Sequence, residues 1–374
     1  MKEGIFKPLE FPNGLQIKNR LVMAPMATKS SFENGMVTLD ELEYYKRRSE
    51  NLGAVITSAA KVEEQGSVPG SISIATERHV ANLTKLASTI HKNGTKAIMQ
   101  LFHVGRSQTS ADSKGYQAVS ASAISSGKPG AEVPRSLSQE EVLAMIDKFK
   151  TATIRAIKAG FDGVEIHGAN TYLIQQFFSP HSNQREDRWG GNLNKRSRFP
   201  IEIIRAVKEA VKEYADRPFA IGFRITMEER YERGITFDDS IYLLNKIKKE
   251  GIDYIHLSLD DYKQSSKREL DNTISILQRT IAAIGSNIPI IGVGNVHDSH
   301  DVRNIFKQGA SLVAVGRQLI IDPDWAWKIK NDQEKLTRTV LLEQDKENLK
   351  IPDKMWEYMR SRPGWLPMKS FDEQ

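Results

Sequence analysis

The chain has 374 residues, 39% of them hydrophobic and 27% charged, a balance that fits a packed globular protein and excludes a disordered or fibrous one. It contains no cysteine, so disulfides, thiolate metal sites, iron–sulfur clusters and cysteine nucleophiles are excluded together. The net charge of +6 is spread over interleaved Lys, Arg, Asp and Glu, which reads as a solvated surface and not as a nucleic-acid footprint. The start, Met1-Lys2-Glu3-Gly4-Ile5-Phe6-Lys7-Pro8, lacks the apolar core of a secretory signal, and no apolar run approaches a membrane span. A cytoplasmic protein with neither membrane nor nucleic acid as partner is expected.

In chain order, residues 4–17 carry Asn13-Gly14 between apolar positions and predict a hairpin that could plug a barrel floor. Short apolar, β-branched runs then recur at 21–26, 54–59, 97–101, 161–166, 219–225, 254–257, 289–293 and 311–315. Helical patterns lie between them, at 77–93, 138–159, 195–214, 237–250, 272–284 and 299–308. Ser138-Gln139-Glu140-Glu141 is a capping box, and Gly94, Gly160, Gly251 and Gly309 stop helices before the next strand. Residues 103–137, rich in Ser, Ala, Gly and Pro, form a long loop after the third strand, and long ordered loops tend to be functional. Eight strand–helix units predict an α/β fold, a single (β/α)8 TIM barrel over residues 1–374, with the last ~40 residues as a helical extension.

The fourth strand runs into Glu165-Ile166-His167-Gly168-Ala169-Asn170-Thr171-Tyr172, placing an imidazole, a carboxamide and a phenol where barrel strands deliver catalytic groups. Period-two alternation puts Ala220, Gly222 and Arg224 on one face, so Arg224 points into the barrel mouth, toward either an anionic or electron-rich ligand or an internal partner such as Glu165. The seventh and eighth strands end in Gly292-Val293-Gly294-Asn295 and Val315-Gly316-Arg317. Those loops either cradle a phosphate or merely turn strand into helix, and they lack the dinucleotide fingerprint. His297-Asp298-Ser299-His300-Asp301 has metal-ligand spacing, but its place before a helix favours capping by Asp298 or Ser299. The doublets Glu228-Glu229, Asp238-Asp239 and Asp260-Asp261 read as solvated loop charges.

With Lys18-Asn19-Arg20-Leu21-Val22-Met23-Ala24-Pro25-Met26, Gln100-Leu101-Phe102-His103-Val104-Gly105-Arg106, Ser179-Pro180-His181-Ser182-Asn183-Gln184-Arg185 and Asp187-Arg188-Trp189-Gly190-Gly191, the chain resembles the old yellow enzyme family of FMN-dependent ene-reductases. The resemblance implies FMN and a donor, NADH or NADPH, with no metal. It implies that Pro25, Met26, Ala27 and Ala59 lie by the flavin, that Gln100 meets its pyrimidine edge, that Arg224 lies beside N1 and O2, and that Gly294, Asn295, Gly316 and Arg317 hold the phosphate. His167 and Asn170 would bind a substrate carbonyl and Tyr172 would donate a proton. Lys29 stands where one branch has a substrate-contacting tyrosine, and Ala27 where a Thr or Cys is usual.

The implied reaction is reduction of activated alkenes. An NAD(P)H oxidase, a quinone or nitro reductase, and a non-catalytic flavin-binding protein stand as alternatives. Assembly as a homodimer or homotetramer fits the resemblance, with Arg362 near Trp365 as the residue that would reach a neighbouring site.

Overall fold

A computed structural model describes residues 3–66 and 68–369. Eight parallel strands close into one barrel: β1 Leu21–Met23, β2 Ala54–Ile56, β3 Lys96–Phe102, β4 Gly163–Gly168, β5 Ala220–Ile225, β6 Tyr254–Leu257, β7 Ile290–Val293 and β8 Leu312–Val315. The ring is closed where β8 meets β1, with Val313 opposite Leu21. Every sequence-derived strand is present. Around it run α1 Leu39–Arg48, α2 Val80–His91, α3 Gln139–Lys158, α4 Arg198–Tyr214, α5 Phe237–Glu250, α6 Ile276–Ile284 and α7 Ser299–Lys307.

Two apolar layers follow from the strand pleat. Inward-facing residues such as Val22, Ala54, Ile98, Ala220 and Leu312 form an interior core, and residues of the opposite pleat pack outward against the helices. The strands Leu9–Glu10 and Gln16–Ile17 pair antiparallel, and their hairpin inserts Phe11, Leu15 and Ile17 into the interior from below. Gly14 takes a left-handed φ of 88° in the turn. At Gly222 an added Cβ would fall 2.0 Å from the Tyr254 ring, so glycine there leaves room for the ring that fills the barrel centre.

Ser138 caps α3 through Glu141 N–H, and Asp298 caps α7 through Asp301 N–H, so the His297–Asp301 stretch is a helix start. Among the described residues no cluster of His, Cys, Asp and Glu could hold a metal, and no helix is long and apolar enough to cross a membrane. Three differences from expectation have physical reasons. The pattern at 272–284 becomes helical only at Ile276, because Ser275 takes the N-cap and accepts from Gln278 N–H. Helix α1 has no apolar stripe to betray it, since it buries Glu41, Tyr44, Tyr45 and Arg48. Among its described residues the C-terminal extension forms an α-helix only at Asp353–Arg360 and is tied down by a strand pair, Leu341–Leu342 with Met368–Lys369.

Candidate active site

The C-terminal mouth gathers polar groups on facing strands. Gln100 on β3 lies opposite Glu165 on β4; His167 lies opposite Arg224 on β5, and Arg224 opposite His256 on β6. Gln100 Nε2 donates to Glu165 Oε1 at 2.7 Å, and His256 Nδ1 lies 2.8 Å from Glu165 Oε2, with both side chains of that second pair fully buried. Burial pushes the Glu165 carboxyl up, but the His256 contact, the nearby Arg224 charge and the Gln100 donor together hold it below its usual range. Burial and Arg224 push His256 down, so we take Glu165 as the charged member and His256 as a neutral donor. Arg224 is buried and forms no ion pair among the described residues; its Nε has no hydrogen-bond partner, and neither do His256 Nε2 and Tyr254 OH. The internal pairing of Arg224 with Glu165 is therefore electrostatic only.

His167 Nδ1 accepts from Ala169 N–H at 3.3 Å, so the proton sits on Nε2. Burial, then the charges of Arg224 and His256, push this imidazole well below its usual pKa, leaving a neutral N–H donor in the mouth. Its ring meets Tyr172 edge-on at 5.0 Å, and Phe102 packs 5.3 Å from Tyr172. Burial, then Tyr358, raises the Tyr172 phenol against the opposing charge of Arg224, so it keeps its proton.

Asn170 and Thr171 both take left-handed backbone, with φ of 58° and 62°. For a β-branched residue such as Thr171 that conformation is strained, at a cost on the order of 1–3 kcal/mol. Thr226 Oγ1 accepts from Asn170 N–H and Gln175 Oε1 from Thr171 N–H, which locks the turn and aims Tyr172 back at His167. The Asn170 carboxamide does not touch His167. Its oxygen accepts from Ser258 Oγ at 2.7 Å, and its N–H groups have no partner among the described residues.

Pro25 and Met26 are half-buried and Ala27 is exposed at the end of β1, with Ala59 half-buried beyond β2. Thr28 turns away: its hydroxyl donates to buried Glu41 at 2.5 Å. Beyond β7 and β8, Gly294 has φ of 109° and Asn295 of 52°. Arg317 Nη2 donates to Asn295 Oδ1 at 3.2 Å, and Arg317 has no carboxylate partner among the described residues. Asn295 also bonds Asp261 and His297. A Cβ at Gly316 would fall 2.9 Å from Met26 Sδ, so glycine lets the turn after β8 close onto the segment after β1.

These observations fit an FMN. An unpartnered buried guanidinium suits the pyrimidine end of the ring, and an arginine free of carboxylates beside left-handed loops suits a phosphate.

Several residues matter that sequence reasoning passed over. Glu229, read as a solvated charge, is buried and accepts from Gln175 Nε2, Ser179 Oγ and Ile235 N–H. Asn183 Nδ2 donates to the carbonyls of Phe177 and Trp189, and Arg185 binds Asp187 and the carbonyls of Ala121 and Leu137. The 179–189 motifs therefore brace the long loop against the barrel. Tyr358 reaches the mouth from the C-terminal helix, and no local pattern marks it. Arg362, expected to reach a neighbour, donates to Tyr358 OH at 2.8 Å and stacks on Trp365 of its own chain.

A closed barrel with a cationic mouth and a phosphate-type loop pair defines a phosphorylated-cofactor barrel. The chain belongs to the NADH:flavin oxidoreductase / NADH oxidase family, whose model matches residues 4–335. It is 41% identical over 360 residues to NADH:fumarate oxidoreductase of Klebsiella pneumoniae and 40% over 353 to NADH:acrylate oxidoreductase of Vibrio harveyi, covering 95% and 93% of this chain. It spans only 39% and 35% of those two proteins. With the probable NADH-dependent flavin oxidoreductase YqiG of Bacillus subtilis it shares 38% identity over 98% of both chains. The fold matches an old yellow enzyme homologue from Zymomonas mobilis at a TM-score of 0.78 and 22% identity, over 94% of this chain and 99% of that one. Morphinone reductase matches at 0.74 and 24%, over 88% and 90%.

Proposed function

We propose that this enzyme reduces activated alkenes, the α,β-unsaturated carbonyl compounds, at the expense of NADH or NADPH. When bound, FMN supplies the two-electron relay that accepts hydride from the nicotinamide and gives it to the β-carbon. The observation that carries the reading is the contact, at the mouth, of two neutral donors with distinct tasks, the His167 imidazole and the Tyr172 phenol, whose rings lie 5.0 Å apart. His167 Nε2–H and the free N–H groups of Asn170 hydrogen-bond the carbonyl oxygen and stabilise the enolate charge that develops there. Tyr172, kept protonated by burial, gives its proton to the α-carbon and completes the saturated product.

In the same reading Gln100, fixed by Glu165, and Arg224 would hold the pyrimidine end of the flavin, where a buried guanidinium would offset negative charge. Gly294, Asn295, Gly316 and Arg317 hold the phosphate, while Pro25, Met26, Ala27 and Ala59 line the ring. The work is cytoplasmic and is done by a homodimer or homotetramer.

A second reading is favoured by one fact: the named fumarate and acrylate relatives are more than twice as long as this chain's match to them. The barrel would then serve as an NADH-oxidising unit whose electrons leave to oxygen, a quinone or a nitro compound. Anaerobic reduction by NADH followed by mixing with cyclohexenone separates the two. Rapid recovery of the oxidised flavin spectrum supports alkene reduction; recovery only with a quinone or oxygen supports the alternative.

A further inference from the structure

A cavity of about 1170 Å³ opens beside the mouth, walled by the segment after β1, residues 61–65 and 68–71, the long loop at 111–116 and the C-terminal helix. It adjoins the catalytic groups through Tyr358, which lines it and lies near enough to raise the Tyr172 phenol. Four cations on its wall, Lys61, Arg78, Lys114 and Lys354, each hold a carboxylate within 2.7 to 3.4 Å. Lys29 differs. Among the described residues it has no carboxylate partner and no hydrogen bond for its ammonium, whose one recorded contact is the Tyr358 ring at 5.4 Å from the centroid.

Its placement is built in and not a chance of a flexible side chain. Lys29 takes a left-handed φ of 56°, an uncommon conformation for a non-glycine residue. The chain is held there by close approach to Gly70, where a Cβ would fall 2.2 Å from the Lys29 carbonyl oxygen, and by Ser31 N–H donating to Gly70 O. A half-buried ammonium without a counter-ion carries a desolvation cost that an anionic ligand would offset. Burial lowers the Lys29 pKa accordingly, opposed by Asp112 across the cavity. Asp112 accepts from Thr109 N–H and Oγ1 through one carboxylate oxygen, and among the described residues it forms no ion pair with the ammonium.

From this geometry we propose that Lys29 and the cavity it faces form an anion subsite, which anchors a carboxylate or phosphate group borne by a ligand whose reactive end lies at His167 and Tyr172. Resting on the reading of the mouth as the reaction site, it makes Lys29 a specificity-determining residue. Two ligands could bring the anion: a carboxylated electron acceptor, or the pyrophosphate of the dinucleotide donor.

The test uses the FMN-loaded enzyme and its Lys29→Met and Lys29→Arg variants. The acceptor arm titrates 4-hydroxybenzoate and 4-hydroxyphenylpropanoate against their neutral amides, following the flavin absorbance. The donor arm compares flavin reduction by NADH with reduction by neutral 1-benzyl-1,4-dihydronicotinamide. Lys29→Met should weaken one anionic ligand about tenfold, leave its neutral counterpart within about twofold, and abolish the salt dependence of that binding, with Lys29→Arg restoring it. Loss confined to the carboxylates assigns the acceptor; loss confined to NADH assigns the donor. An equal loss for charged and neutral ligands, or no loss for either anion, overturns the subsite. Neither arm requires an alkene to turn over, so a failure of alkene reduction in the wild-type enzyme would be seen separately.

Discussion

The two ends of one barrel handle buried charge in opposite ways. At the floor, Asp253 before β6 accepts from Ile221 N–H and from both the backbone and side chain of Asn13, which pins the hairpin to the sheet. Asp162 before β4 likewise bonds His91, Lys96 and Ala97 N–H. At the mouth, Arg224 Nε and His256 Nε2 are buried without partners, as is Tyr254 OH in the barrel centre beneath them. Satisfied polar groups hold a fold together, and unsatisfied ones gathered in a barrel mouth offer a ligand the partners that the protein leaves open. The difference separates the residues that stabilise this protein from those that work in it.

Substitutions at the two ends should accordingly divide activity from stability. The largest effect is expected from His167→Ala combined with Asn170→Ala, which should cut enone turnover by roughly 10²–10³ while FMN stays bound. Stopped-flow reoxidation and flavin content check this, and loss of FMN would erase the distinction. Tyr172→Phe should slow reoxidation by enones on the order of 10²-fold and leave reduction by NADPH unaffected; slowing of reduction alone would remove it as the proton donor. Asp253→Ala should do the reverse, lowering unfolding free energy by about 2–4 kcal/mol with kcat unchanged, since it strands the Ile221 and Asn13 donors. A denaturant titration beside a turnover assay measures both.

A pH profile sharpens the contrast. Burial beside Arg224 holds His167 well below the usual imidazole value of 6.5, so it stays neutral above that pH and for some way beneath it, and burial holds Tyr172 above the usual 10.0, so it stays protonated. Affinity for a neutral enone should therefore show no step between about pH 5.5 and 9. A fall in affinity on acidification through 6.5 would mean that the imidazole titrates normally. For stability the sign is the same: a depressed histidine contributes stability above 6.5 that is lost as pH falls through its lower folded value.

The smallest effect concerns Ala27. Thr28, its neighbour, spends its hydroxyl on Glu41, so that hydroxyl does not replace the donor that Ala27 lacks. Ala27→Thr should raise the flavin potential by about 10–30 mV, the equivalent of a hydrogen bond worth roughly 0.5–1.5 kcal/mol to the reduced form. Spectroelectrochemistry reads the shift directly.

Much of this was legible because it is local. The apolar runs, the capping box at Ser138 and the Asn13-Gly14 turn are patterns within a few residues, and the pleat of Ala220, Gly222 and Arg224 gave the inward face correctly. Helix α1 escaped because it buries polar side chains, although Thr38 and Glu41 form a capping box that marks its start. Glu229 and Tyr358 escaped for another reason. A lone carboxylate or phenol carries no sign of its partners when those come from distant chain segments, as Ser179 and Tyr172 do. The orientation of Asn170 depends likewise on Ser258, on a different strand's loop.

The central claim is that the charge at the mouth serves the cofactor and not the fold, and Arg224→Met tests it most directly. FMN affinity and the unfolding free energy of the apoprotein should be measured together. The account predicts that FMN binds at least about tenfold more weakly while the apoprotein loses less than about 1 kcal/mol, because an unpartnered buried charge has been replaced by an apolar chain of similar length. An apoprotein destabilised as much as Asp253→Ala, with FMN affinity unchanged, would contradict it.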